Sequence, residues 1–177
     1  DDQPSIDAVG AIRAPQVRCV VNMGARSYAG AMNTAVRVVA DRWVFTGADD
    51  LHFHRGWDVQ ALRLARATGA KVVGTNDLWN QAVLAGRHST HSLVATQYIR
   101  SIGGTADLIP GKLLHEYHHN FVDPELVQVA MHRGVYAHCH TSIVEHMHPL
   151  AGKAAADETY QLGMSEWAAD QAMFEER

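Results

Sequence analysis

Hydrophobic positions change their period several times along the chain, and each change predicts an element. Ile6, Val9 and Ile12 recur at helical spacing behind Pro4 and a capping Ser5, which predicts a short helix over 5–14 that Pro15 stops. Val17-Arg18-Cys19-Val20-Val21 then predicts a strand, closed by the turn Asn22-Met23-Gly24. Small and apolar residues from Ser27 to Ala40 predict a helix packed closely on a sheet. Trp43 to Thr46 is the next strand, and it stops at the paired acids Asp49-Asp50. Gly56-Trp57-Asp58 opens a helix that ends at Thr68-Gly69, and Lys71 to Gly74 forms a further strand leading into Thr75-Asn76-Asp77. This alternation predicts the α/β class, a mostly parallel sheet flanked by helices.

Beyond Asn80 the period weakens. A strand-to-helix passage is expected over 93–102, and Gly103-Gly104 and Pro110-Gly111 break the chain. Asp123-Pro124-Glu125 opens a helix ending near Arg133-Gly134, with Asp123 placed to cap it. Val135 to Ala137 and Ser142 to Val144 read as two strands, the second running into Glu145-His146-Met147-His148-Pro149. Residues 157–174 predict one covering helix.

Composition adds bounds. With 177 residues, 47% apolar and 19% charged, the chain suits one domain with one core. A formal charge of -4 argues against a general nucleic-acid surface. No stretch approaches the ~18 apolar residues of a membrane span. Cys19 and Cys139 lack metal-ligand spacing and read as reduced core or near-core residues of an intracellular, cytoplasmic protein. The chain opens without an initiator Met or a secretory signal, as a trimmed or partial chain would. Oligomeric state has no signature.

Chemistry concentrates at a few places. Adjacent carboxylates repel unless a cation or donors compensate, so Asp49 and Asp50 suit a hard ion such as Mg²⁺ or Mn²⁺; the plain alternative is two acids capping a turn in solvent. Histidine is abundant, with 12 in the chain, most of them between His88 and His148. On an extended segment His146 and His148 share a face and could join an acid on one ion, or else simply face solvent. Asp123 is either a helix cap worth roughly 1 kcal/mol or a carboxylate facing a crevice that accepts a hydroxyl proton. Asn33 either packs a helix or lies beside a ligand.

These motifs together resemble a glycosyltransferase of the GT-A fold, family 2 type, and are most similar to the small versions encoded by phages of actinobacteria. Asp1-Asp2-Gln3-Pro4-Ser5-Ile6-Asp7 is similar to the segment that contacts the nucleotide base, and the helix carrying Asn33 resembles the Ala-x-Asn helix before the acid motif. Gly47-Ala48-Asp49-Asp50 stands where the family has Asp-x-Asp, the element that binds the metal-diphosphate. Gly103-Gly104 resembles the turn bordering the acceptor site, Val122-Asp123-Pro124-Glu125-Leu126 the motif of the catalytic base, and the His146–His148 segment the late metal ligands.

The resemblance implies an inverting, metal-dependent hexosyl- or pentosyltransferase. Asp123 would be its base. Asp1, Asp2, Asn33 and Asp49 would bind the nucleotide-sugar donor, a UDP-sugar by preference. Asp49, Asp50, His146 and His148 would hold Mn²⁺ or Mg²⁺, and the segment 88–119 would shape the acceptor pocket. The acceptor would be a glycan, a protein or a modified nucleic acid. Two departures stand out: Gly47 replaces the first acid, and the family's first strand, with its Val-Pro-x-x-Asn-Arg-like motif, has no counterpart, which implies an N-terminally incomplete domain. These departures would also suit a catalytically inactive nucleotide-sugar or glycan-binding module of the same fold. A metal-dependent hydrolase using the histidines is the remaining enzyme alternative.

Overall fold

In the computed structural model, which describes residues 3–22, 24 and 27–177, five strands share one sheet. They are β1 (Trp43–Phe45), β2 (Leu51–Phe53), β3 (Val72–Asn76), β4 (Ser92–Ala95) and β5 (Tyr136–His146), in the spatial order β1-β4-β3-β5-β2. The α/β class stands, but the mostly parallel sheet does not. Only β3 and β5 run parallel; the other pairings are antiparallel. After β3 the chain turns back instead of crossing over, because the Ser89 hydroxyl accepts from the Thr75 amide at 2.9 Å and donates to the His91 carbonyl, clamping β4 beside the strand it left.

Around the sheet lie α1 (Gln3–Ala11), α2 (Tyr28–Val38), α3 (Trp57–Thr68), α4 (Gln81–Leu84), α5 (Thr96–Ile102), α6 (Val122–His132), α7 (Glu158–Ser165) and α8 (Trp167–Glu175). Strand side chains alternate between two buried faces. Val72 and Val94 pack with Ala29, Val36, Ile99 and Leu126 from α2, α5 and α6. Val73 and Leu93 point the other way, onto Ala61 and Ala65 of α3. Each such aliphatic side chain contributes roughly 1.5–3 kcal/mol by leaving water.

The sheet also curls. β1 and β2 occupy opposite edges, which a flat sheet would hold about 19 Å apart at ~4.8 Å per strand, yet the Phe45 and Phe53 rings meet at 5.8 Å and both pack on Trp57. That curl brings the short link 46–50 over the end of the sheet.

Several local expectations change. Val17–Val21 pairs with no strand among the described residues, and Val17, Val20 and Val21 are exposed. Cys19 is exposed too, so only Cys139 is a core thiol. The two strands expected over 135–144 are one bent strand, β5, irregular where its register with β3 shifts between Gly74 and Asn76. The expected C-terminal helix is two, broken at Glu166. No helix among the described residues is long and apolar enough to cross a membrane.

Candidate functional site

One wall of the site is built by strand register. Just past the end of β1 stands Thr46, whose hydroxyl accepts from the Ser92 amide at 2.8 Å and whose carbonyl accepts from His91 Nδ1 at 2.5 Å. The chain then passes through Gly47 and Ala48 to the acids. β2 pairs Leu51 with His146, and the Met147 amide donates to the Asp50 carbonyl at 2.8 Å. Register alone therefore sets Asp50 beside His146, with Oδ2 2.9 Å from Nε2. The His146 and His148 rings lie 4.7 Å apart, as their spacing predicts. His148 Nδ1 accepts from the Leu150 amide at 3.2 Å, so its neutral ring carries the proton on Nε2. Burial, then the neighbouring His146, lowers its pKa and favours that neutral form.

Gly47 has its own reason to lack a side chain. A Cβ there would meet the Phe45 ring at 3.3 Å.

The opposite wall is built by side chains. Asp123 is the second residue of α6 and not its cap, which corrects the capping expectation. Phe121 takes the cap position in the left-handed region, at φ 64, a conformation that costs an ordinary residue roughly 1–2 kcal/mol. Its ring contacts with Trp167 at 4.9 Å and Phe174 at 5.1 Å offset that cost. The Asp123 carboxylate is left free for His88, with Oδ2 3.0 Å from Nε2. Burial first, and the charge of Asp123 second, push the Tyr28 phenol above its ordinary range, so it stays protonated.

Beside them the loop 118–120 hangs from a single carboxylate. Asp170 of α8 is wholly buried and accepts from the amides of His118, His119 and Asn120 at 2.8, 2.9 and 2.7 Å, and from His118 Nδ1 at 2.8 Å. Burial alone would raise its pKa; the three amides outweigh it and hold the group ionised below the usual range.

Between the walls lies a cleft of about 990 Å³, and Asp49, Asp50, Asp123, His146 and His148 all line it. Asn33 does not. It is 5% exposed, and its amide is spent on the backbone of 113–114, accepting from both amides and donating to the Leu114 carbonyl, so the ligand-contact expectation gives way to a scaffold role. Asp1 and Asp2 lie outside the described residues. Gly103 and Gly104 sit off the cleft, where a Cβ would meet the carbonyl oxygens of Ile109 and Leu113 at 2.3 and 2.2 Å.

The segment 88–119 is expected to shape a pocket, and Thr90, His91 and Glu116 to His119 do line the cleft, but the sequence does not single out the roles of two histidines. His88 pairs with Asp123 across 35 residues, and no local pattern announces it. His91 is 7% exposed, and with Nδ1 donating to Thr46 its Nε2 is buried without a partner. Burial lowers its pKa against the opposing pull of that hydrogen bond. The density of histidines was the only signal for either.

The strand wall offers carboxylate oxygen, the donor that Mg²⁺ and Mn²⁺ prefer, beside imidazole nitrogen, which Mg²⁺ rarely takes. Among the described residues no three His, Cys, Asp or Glu side chains are placed to hold an ion by themselves. Comparisons with family models, curated proteins and solved structures found no match for the chain.

Proposed function

We propose that the chain is an inverting glycosyltransferase that moves a sugar from a nucleotide-diphosphate donor to an acceptor hydroxyl. One observation carries the proposal: a single cleft gathers Asp49 and Asp50, Asp123, and His146 and His148 from three distant segments, with His88 engaging the Asp123 carboxylate. Asp49 or Asp50, with His146, would hold a divalent cation, whose chemistry is to neutralise the leaving diphosphate; His148 would join them only by releasing the Leu150 amide from Nδ1. Asp123 is the base. Its Oδ2 is engaged by His88, and its carboxylate is 28% exposed toward the cleft, where it can take the proton of the acceptor hydroxyl. As that proton leaves, the acceptor oxygen bonds to the anomeric carbon and the bond from that carbon to the diphosphate oxygen breaks. Tyr28, kept protonated, adds a neutral donor to the same wall.

A donor screen by mass spectrometry, with UDP- and GDP-sugars and Mn²⁺, tests the proposal directly. Sugar release or transfer from one donor is expected, and none from any donor removes it.

The absence of a three-residue metal group among the described residues, together with Gly47, favours a second reading: a module that binds the nucleotide sugar or a glycan without chemistry. Binding of UDP-sugar with no release or transfer would select it.

A further inference from the structure

The cleft has an unusual balance of hydrogen-bonding groups. Although the chain carries 15 lysines and arginines, none lines the cleft among the described residues. Six carboxylates do. Asp50 is engaged by His146, Asp123 by His88, and Asp157 caps α7 by accepting from the Tyr160 amide at 2.8 Å. Asp49, Glu116 and Glu166 have no side-chain partner among the described residues. An independent feature points the same way. His91, 7% exposed, donates through Nδ1 to the Thr46 carbonyl, so its unpartnered Nε2 presents a lone pair. A carboxylate and a bare imidazole nitrogen only accept. The unpartnered carboxylates of the cleft and the His91 Nε2 are thus acceptors with no lysine or arginine beside them among the described residues, and their complement is a ligand rich in donors.

We infer, resting on the glycosyltransferase reading, that the acceptor is an uncharged or amine-bearing glycan, and that Glu116, Glu166 and His91 receive its hydroxyl or amino hydrogens. Asp49 and Asp50 are matched by the cation of the donor, which leaves the other three for the acceptor. A sugar ring offers several O–H donors around its rim and an apolar C–H face, and Tyr160 and His148, with ring centroids 5.3 Å apart, set flat rings beside the acids. A nucleic-acid acceptor meets the opposite situation. Its phosphates need Lys or Arg contacts, and here they would face carboxylates on both walls.

Saturation-transfer NMR on the full chain, with UDP and Mg²⁺ present, tests this using maltotriose, cellotriose, mannotriose and a chitosan trisaccharide against a heparin oligosaccharide and a short single strand of DNA. Transfer to at least one neutral or amine-bearing saccharide is expected, together with none to heparin or DNA. The combined variant Glu116→Ala/Glu166→Ala should weaken the saccharide by about fivefold or more, as expected for lost hydrogen bonds to charged groups, with an unchanged thermal midpoint. Binding of DNA or heparin above every saccharide, or of no saccharide at all, overturns the inference. Calorimetry with UDP and Mg²⁺ separates the two ideas: a chain that binds saccharide but not the nucleotide keeps the ligand class and loses glycosyl transfer.

Discussion

The two walls of the cleft are specified in different ways. The strand wall takes its geometry from backbone pairing. Once Leu51 lies opposite His146, the neighbouring Asp50 and the next outward imidazole follow from the pleat, and many hydrogen bonds share the work. The loop wall takes its geometry from individual side chains: one buried carboxylate holds the 118–120 amides, one left-handed Phe121 aims α6, and one histidine engages Asp123. A wall set by register tolerates loss of a side chain. A wall set by single residues does not.

The sharpest way to break this contrast is at the proposed base. Asp123→Asn keeps the size of the side chain and removes the proton acceptor, so transfer should fall by about 10²–10⁴-fold, the range for loss of a general base. UDP binding with Mn²⁺ should stay near wild type, because its groups lie on the other wall. Steady-state rates and calorimetry read the two effects separately, and near-normal turnover would end the assignment of Asp123.

Stability comes next. Asp170→Ala strands the amides of His118, His119 and Asn120 and should cost about 3 kcal/mol, given ~1–3 kcal/mol for each unsatisfied buried group and partial relief by water. Urea unfolding measures it. A cost near zero would mean that the loop wall holds itself without the carboxylate.

Acid should erode the strand wall first. His138 on β5 is held neutral to about 4, from 6.5, by burial and then by the charge of nearby His140. The unfolded chain binds that proton first, so its share of stability is complete above pH 6.5 and falls as the pH drops toward 4. Glu145, also on β5, is lowered from 4.5 to about 2 by its hydrogen bonds to Lys153 and then His54, so its share is present above 4.5 and is lost as the pH falls through 2. Urea midpoints across these windows should therefore decline in two stages. His138→Gln should flatten the upper stage, and an unchanged upper stage in that variant would disprove the attribution.

The smallest effect is expected at Asp50. Its pair with His146 is partly exposed, and Asp50→Ala should cost under about 1 kcal/mol while weakening UDP binding in Mn²⁺ far more than in its absence. A stability loss as large as that of Asp170→Ala would erase the distinction between the walls.

Much of this was legible in the residues. The caps of α3 were readable because Gly56 and Gly69 adopt φ near +80 and +75, which glycine takes at little cost. β1, β3 and α3 followed from local period, β4 and α5 were read only as a strand-to-helix passage over 93–102, and the shared face of His146 and His148 followed from the pleat. Of the two readings of Asn33 the structure agrees with packing, and sequence alone could not choose because it shows that an amide is present but not whether backbone 113–114 consumes it. β2 was missed because three residues between two turns are too short to show a period.

By itself, then, the sequence determined the α/β class, the glycine caps of α3, the stop of β1 before the paired acids, and the acids and imidazoles available for chemistry, since each of these rests on contacts within a few residues. Tertiary structure alone decided the mixed sheet, the curl that brings β1 against β2, the partnership of His88 with Asp123 and of Asp170 with a loop some 50 residues away, and the cleft free of lysine and arginine among its described residues. Those depend on which distant groups satisfy one another once water is excluded, and no local pattern encodes that choice.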